Sequence, residues 1–156
     1  MLGLLAIGCG VSEVLQRWVK QGLVFATGRQ LPWLVSHASV PVADPIGGDH
    51  YRVYFSARDE KNRSQIGYFE INLNNPSEIL NLSDCPALQY GDLGTFDEAG
   101  ASSSWLVNYQ GKKHMYYFGW NLSVTVPFRN AIGVAASADG GVTFQKLGQS
   151  ELSDDD

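Results

Sequence analysis

The feature that most constrains this chain is an internal repeat. Arg63-Ser-Gln-Ile66-Gly67 returns 66 residues later as Arg129-Asn-Ala-Ile132-Gly133. Each copy follows an aromatic, strand-like run, Tyr51–Phe55 in the first and His114–Phe118 in the second, with a polar stretch between. Trp33 and His37 precede the first run much as Phe96 and Gly100 precede the second. A unit of this length, made of short strands, buries its faces only against neighbouring copies, as the blades of a β-propeller do. Two copies are too few to close a ring. The sequence therefore predicts part of a larger architecture, or half of one built from two chains.

The rest of the chain agrees with an all-β reading. Aromatic residues make up 12% and glycine contributes 17 positions, a composition of strands and tight turns. The boundaries we read are a lead-in over residues 1–16, short helix or disordered, an incomplete propeller over 17–148 of about two to two and a half blades, and an acidic tail over 149–156 ending in three aspartates. Residues 11–20 read equally as a helix capped by Ser12 or as an extended lead-in to a strand at 22–25. Further strands are expected at 33–37, 51–56, 65–73, 104–109, 114–120, 131–137 and 142–147, with 77–95 crossing between blades.

Several function classes are disfavoured. A net charge of −5 with eleven scattered basic residues gives no phosphate-binding patch, so nucleic acid is not expected as a partner. No stretch approaches the ~20 apolar residues that span a bilayer, so no membrane partner is expected. Met1–Gly10 is apolar but lacks a basic start, and Ala6 stands where a lipoprotein signal wants leucine, so a cytoplasmic location is expected. Cys9 and Cys85 could form a disulfide, but two isolated thiols in such a chain are expected to stay reduced. No P-loop, dinucleotide fingerprint, nucleophile triad or metal-ligand spacing is present, so no cofactor and no metal are expected.

Ser137-Ala-Asp139-Gly-Gly141-Val-Thr143-Phe144 matches the S-x-D-x-G-x-T-W pattern called the Asp-box, with Phe for Trp. Its Ser and Asp side chains satisfy the amides of a hairpin turn, glycine supplies positive φ and the aromatic packs beneath. Asp139 is accordingly read as structural.

His37-Ala-Ser-Val-Pro41, Tyr54-Phe-Ser-Ala-Arg58-Asp59 with Arg63, Gly94-Thr-Phe-Asp97-Glu98-Ala-Gly100, and Tyr117-Phe-Gly-Trp120-Asn121 stand in an order and spacing that resembles the first two blades of the five-bladed β-propeller glycosidase-like superfamily. That superfamily includes arabinanases, levansucrases, invertases and mannoside phosphorylases (glycoside hydrolase families 43, 32 and 130 among them). The resemblance covers roughly residues 17–148, about half of such a propeller. It implies a carbohydrate substrate or ligand held in an axial pocket at the innermost strands. Hydrolysis requires two carboxyl groups across the glycosidic bond. The first-blade carboxylate position falls near His37, which is not an acid. The second-blade region falls near Asp97 and Glu98, and the general acid is expected in a later blade. Phosphorolysis needs fewer carboxylates and wants cations to hold phosphate.

The resemblance thus implies Asp97, Asp59 and Glu98 as candidate catalytic residues. It implies His37, Arg58, Arg63, Trp120 and Arg129 as candidate substrate-binding residues. Against each stands a bland alternative: a satisfied histidine, a loop salt bridge for Arg58–Asp59, a turn-capping Asp97, interior packing of Trp120, and a shared structural role for Arg63 and Arg129, which occupy equivalent repeat positions. The functional expectation is a glycoside hydrolase or glycoside phosphorylase. The alternatives are a non-catalytic sugar-binding or interaction propeller, a homodimer that covers exposed blade faces, and an inactive truncated fragment.

Overall fold

The computed structural model describes residues 19–20, 22–28 and 31–148; the lead-in before residue 19, most of the alternative helix and the acidic tail lie outside them. Eight strands form: β1 (Ser36–Gly47), β2 (His50–Arg58), β3 (Ser64–Asn72), β4 (Asn81–Leu82), β5 (Gly100–Tyr109), β6 (Lys112–Leu122), β7 (Phe128–Ser137) and β8 (Gln145–Lys146), with no helix among the described residues. β1 to β4 make one antiparallel meander, blade 1, and β5 to β8 repeat it as blade 2. The two join through one parallel pairing, Ser64 to Gly100. The fold is all-β, a partial propeller of two four-stranded blades.

The strand starts at 36, 64 and 81 recur at 100, 128 and 145, so the structural period is 64 residues. The pairing registers give finer equivalences. Phe55 lies opposite Gly67 as Tyr117 lies opposite Gly133. Ser36 lies opposite Arg58 as Gly100 lies opposite Trp120, so Gly100 corresponds to Ser36 rather than to His37. The repeated Ile-Gly pair has a packing cause. A Cβ on Gly67 would sit 2.0 Å from the Trp33 ring, and one on Gly133 would sit 2.3 Å from the Tyr117 ring, so an aromatic ring crosses directly over each glycine.

β2 and β3 are buried on both faces, which is why their apolar residues run almost continuously. One face of blade 1 offers Tyr54, Ile66 and Tyr68, and meets Met115, Tyr117 and Ala135 of blade 2 in the larger core cluster. The other face offers Val53, Phe55, Phe69 and Ile71. It is covered by the segment that precedes β1: Phe25 stacks on Phe69 with ring centroids 4.8 Å apart, and Trp33 and Leu34 are buried beside it. The strand considered at 22–25 does not form; that segment covers the face without joining the sheet.

Two expectations need correction. The strand expected at 33–37 begins at Ser36 and runs through Pro41 and Pro45 to Gly47. Proline tolerates this because β1 is the outermost strand of the sheet, with an unpaired edge. The strand expected at 142–147 is reduced to Gln145–Lys146, because the Asp139 turn takes the preceding residues.

That turn also joins the blades. Tyr54 Oη donates to the Gly141 carbonyl at 2.6 Å, and Arg52 Nη1 donates to the Gly140 carbonyl at 2.9 Å. Arg52 is itself held by Glu70, 2.7 Å away. Phe144, beneath the turn, packs edge-on against Tyr54. Nearby, Lys113 of β6 pairs with the buried Asp44 of β1.

Candidate functional site

Antiparallel topology gathers the sequence-predicted residues at one end of the sheet. β1 begins, β2 ends, β3 begins, β5 begins, β6 ends and β7 begins at that end. His37, Arg58, Asp59, Arg63, Asp97, Glu98, Trp120 and Arg129 all fall there. The Asp44–Lys113 and Arg52–Glu70 pairs and the Asp139 turn sit at the opposite end.

A groove runs across this end in two adjoining depressions of about 560 and 520 Å³, which share Lys61, Arg63 and Tyr90. The first also has Asp59 and Trp33 in its wall, and the second has Asp92, Glu98 and Trp120. Arg63 lies between them with its guanidinium 3.9 Å above the centre of the Tyr90 ring, a close cation–π contact. Arg58 approaches the Trp120 ring at 5.7 Å.

Asp59 organises the hairpin from β2 to β3. Its Oδ1 accepts from the Lys61 and Arg63 amides, both at 2.9 Å, and its Oδ2 accepts from Arg63 Nε at 3.0 Å and Nη2 at 2.8 Å. Burial pushes this carboxyl up, but the bonds from the Arg63 backbone and side chain and from the Lys61 amide outweigh it and hold the group below the usual carboxylate range. Asp59 is therefore a fixed anion whose lone pairs are spent on the turn. The same pair fixes Arg63 flat over Tyr90.

Asp97 is completely buried and lines neither depression. Its Oδ1 accepts from Thr95 Oγ1 at 2.8 Å, and its Oδ2 accepts from Tyr117 Oη at 3.0 Å and pairs with Lys146 Nζ at 2.5 Å. Its carbonyl accepts from the amides of Gly91 and Gly100. Burial, then the Asp97 charge, drives the Tyr117 phenol well above its ordinary range, so it stays a donor at any working pH. Asp97 fastens the start of β5 to β6 and β8 from inside. Glu98, next in sequence, is half-exposed in the groove wall, and its Oε2 accepts from the Gly94 amide at 2.7 Å.

His37 is exposed and lines neither depression; its φ is +65°, with Ser36 Oγ 2.8 Å from Nδ1. It lies in a doubly bulged stretch of β1, where Val40 also has positive φ, at +51°. For a β-branched residue this is an outlier. The Val40 carbonyl accepts from Ser103 Oγ of β5 at 3.0 Å, so the distortion is fixed from blade 2. Arg129 lies at the exposed start of β7, opposite Asn121. It occupies the Arg63 position, but the Asp59 position of blade 2 is Asn121, so the Arg63 arrangement is not repeated there.

The structure thus brings Asp59, Arg63, Glu98 and Trp120 to one groove with Arg58 against Trp120, sets His37 and Arg129 apart from it, and places Asp97 beneath it. Sequence reasoning missed Tyr90, Lys61 and Asp92. Tyr90 carried a signal: a lone aromatic in a polar, turn-rich crossing has no strand face to bury in. Lys146, the partner of Asp97, carried none. Among the described residues no group of His, Cys, Asp and Glu is arranged to hold a metal.

No protein-family model matches the chain. An uncharacterised protein from each of two strains of Mycobacterium tuberculosis is 43% identical over 129 residues, covering 83% of this chain and 43% of the relative. The chain thus spans less than half the length of these curated relatives. Among solved structures it resembles a glycosyl hydrolase from Bacteroides ovatus, with a TM-score of 0.59 at 18% identity over 81% of this chain and 38% of that one. It also resembles a family 117 glycoside hydrolase from Zobellia galactanivorans, with a TM-score of 0.54 at 15% identity over 77% and 34%. These likenesses establish the fold: part of a propeller-like glycosidase architecture.

Proposed function

We propose that this chain is the glycan-binding portion of a carbohydrate-active protein of the glycoside hydrolase type. The observation that carries the reading is the groove at the strand-start end, where Tyr90 and Trp120 stand beside Arg63, Lys61, Asp92 and Glu98. Aromatic faces suit the C–H-rich faces of sugar rings, and ionic groups at their rims suit hydroxyls. The fold shared with two glycoside hydrolases supports the same reading.

The carboxylates favour binding over turnover by this portion alone. Asp59 and Asp97 are spent on protein partners, which leaves Glu60, Asp92 and Glu98 as the groove-lining acids open to a ligand. A second reading, hydrolysis or phosphorolysis of the bound glycan, rests on Glu98 with a second acid or a phosphate supplied from outside this chain.

The test is a glycan array followed by titration calorimetry on the best ligand. Trp120→Ala and Tyr90→Ala should each weaken binding about tenfold, roughly 1.4 kcal/mol, with circular dichroism unchanged. An array with no retained glycan, or binding indifferent to both substitutions, overturns the proposal.

A further inference from the structure

The two depressions of the groove differ in chemistry. The first is walled chiefly by polar groups, Asp59, Glu60, Lys61, Arg63 and Gln65 among them. The second adds leucine from two separate elements, Leu93 of the crossing and Leu122 at the end of β6. Leu93 is 96% exposed and Leu122 70%. A single exposed leucine is ordinary surface; two brought to one depression from distant parts of the chain make an apolar wall. The apolar strip continues along the β6–β7 hairpin. Phe128 lies opposite Leu122 in the register, Val124 and Val126 stand in the loop between them, and all three are exposed.

Leu93 is held out by the way its turn is built. It takes the second position of the tight turn Asp92–Thr95, followed by Gly94 at φ +89°. The Thr95 amide and Oγ1 both donate to the Asp92 carbonyl, at 3.1 and 2.8 Å, and the Gly94 amide donates to Glu98 Oε2 at 2.7 Å. The positive φ asks for glycine at the third position, but the second position accepts most residues, so the turn does not call for leucine. Its apolar area stays in water, so folding gains no burial from it either. The turn thus presents an apolar group, on a fixed backbone, to whatever lies in the groove.

We infer that the ligand of this groove is an amphiphilic glycoside, with its sugar against Tyr90 and Arg63 and an alkyl aglycone leaving between Leu93 and Leu122 toward Phe128. The inference rests on the glycan-binding reading and names the class of glycoside. Continuity decides the occupant. The apolar strip begins inside the depression that Tyr90 and Trp120 line, so what covers it is joined to what those rings bind. The side chains of Leu93, Leu122 and Phe128 offer no hydrogen bond. A further sugar unit would leave its hydroxyls unpaired there, whereas a hydrocarbon chain loses nothing by leaving water.

The test is titration calorimetry of the 156-residue chain with methyl and octyl glucosides, galactosides and mannosides, each below its micellar concentration. Octyl sulfobetaine serves as the control without a sugar. For at least one sugar the octyl compound should bind at least tenfold more tightly than the methyl compound. Leu93→Ser and Leu122→Ser, both changes to exposed side chains, should each cut that ratio to about threefold or less and leave the methyl affinity unchanged. Tyr90→Ala should weaken the methyl and octyl compounds alike. Leu73→Ser, at an exposed leucine on the opposite end of β3, should change neither. Equal binding of methyl and octyl glycosides overturns the inference and leaves the glycan reading standing. An octyl advantage indifferent to both serine variants overturns it, as does octyl sulfobetaine binding as tightly as the octyl glycosides. Failure of every octyl glycoside to bind overturns it whatever the glycan array retains, and an empty array besides overturns both readings.

Discussion

At the scale of single residues, sequence spacing finds carboxylates but not what they are bonded to. Asp97 and Glu98 are adjacent and looked alike as acids. In the fold one is sealed behind the start of β5 against Lys146, Tyr117 and Thr95, and the other opens to the groove. The difference turns on Lys146, 49 positions away in a two-residue strand, which no local pattern announces. Asp97→Asn should therefore act on stability. It would leave the Lys146 ammonium largely buried without its counter-charge, at a cost of about 3 kcal/mol or more, read as a lowered urea midpoint. An unchanged midpoint would return Asp97 to the list of residues that touch substrate. Asp59 shows the opposite case. The expected loop salt bridge was with Arg58, but the carboxylate pairs with Arg63, four residues away across the hairpin.

At the scale of elements, the strands with aromatic or β-branched alternation were legible to within a few residues, as β2, β3, β6 and β7 show. β1 was not, because prolines and bulges read as a stop when the edge position of the strand is unknown. β8 was overestimated for the opposite reason. The residues before it are apolar enough for a strand, but Asp139 captures them, accepting from the Val142 amide at 3.0 Å and from Thr143 Oγ1 at 2.6 Å. Burial alone would raise the Asp139 carboxyl. The hydroxyls of Ser137 and Thr143 and the amides of Thr143 and Val142 outweigh it and hold the group far below the usual range. A carboxyl depressed on folding contributes stability above its unfolded value, near pH 4, and loses it as pH falls toward the folded value. The denaturation midpoint should be flat from about pH 7 to 5 and fall below about pH 4. Asp139→Ala should lower it at pH 7 by about 1–2 kcal/mol and flatten the acid slope. A variant with an unaltered acid limb would show that the turn is not what titrates.

At the scale of the whole molecule, the sequence repeat correctly implied two stacked units, and its 66-residue offset is the one by which the pairing registers relate Gly67 to Gly133. It could not say which faces meet, since that depends on which side of β2 turns toward β6. Because the blades share one core, they should unfold in one transition. Tyr54→Phe should cost about 1–2 kcal/mol by stripping the Gly141 carbonyl of its donor, and that single transition should survive. Two resolved transitions would mean that each blade is stable alone. The joint that Tyr54 closes has a further consequence for how such chains diverge. Its donors are side chains, but its acceptors are carbonyl oxygens of the main chain at Gly140 and Gly141. Every hairpin of that shape offers the same two oxygens whatever its side chains are. One partner in the joint is thus free of sequence, and mutation can rewrite much of a blade while the next still seats at the same angle. A repeat faint in letters and regular in geometry is what such a coupling leaves behind.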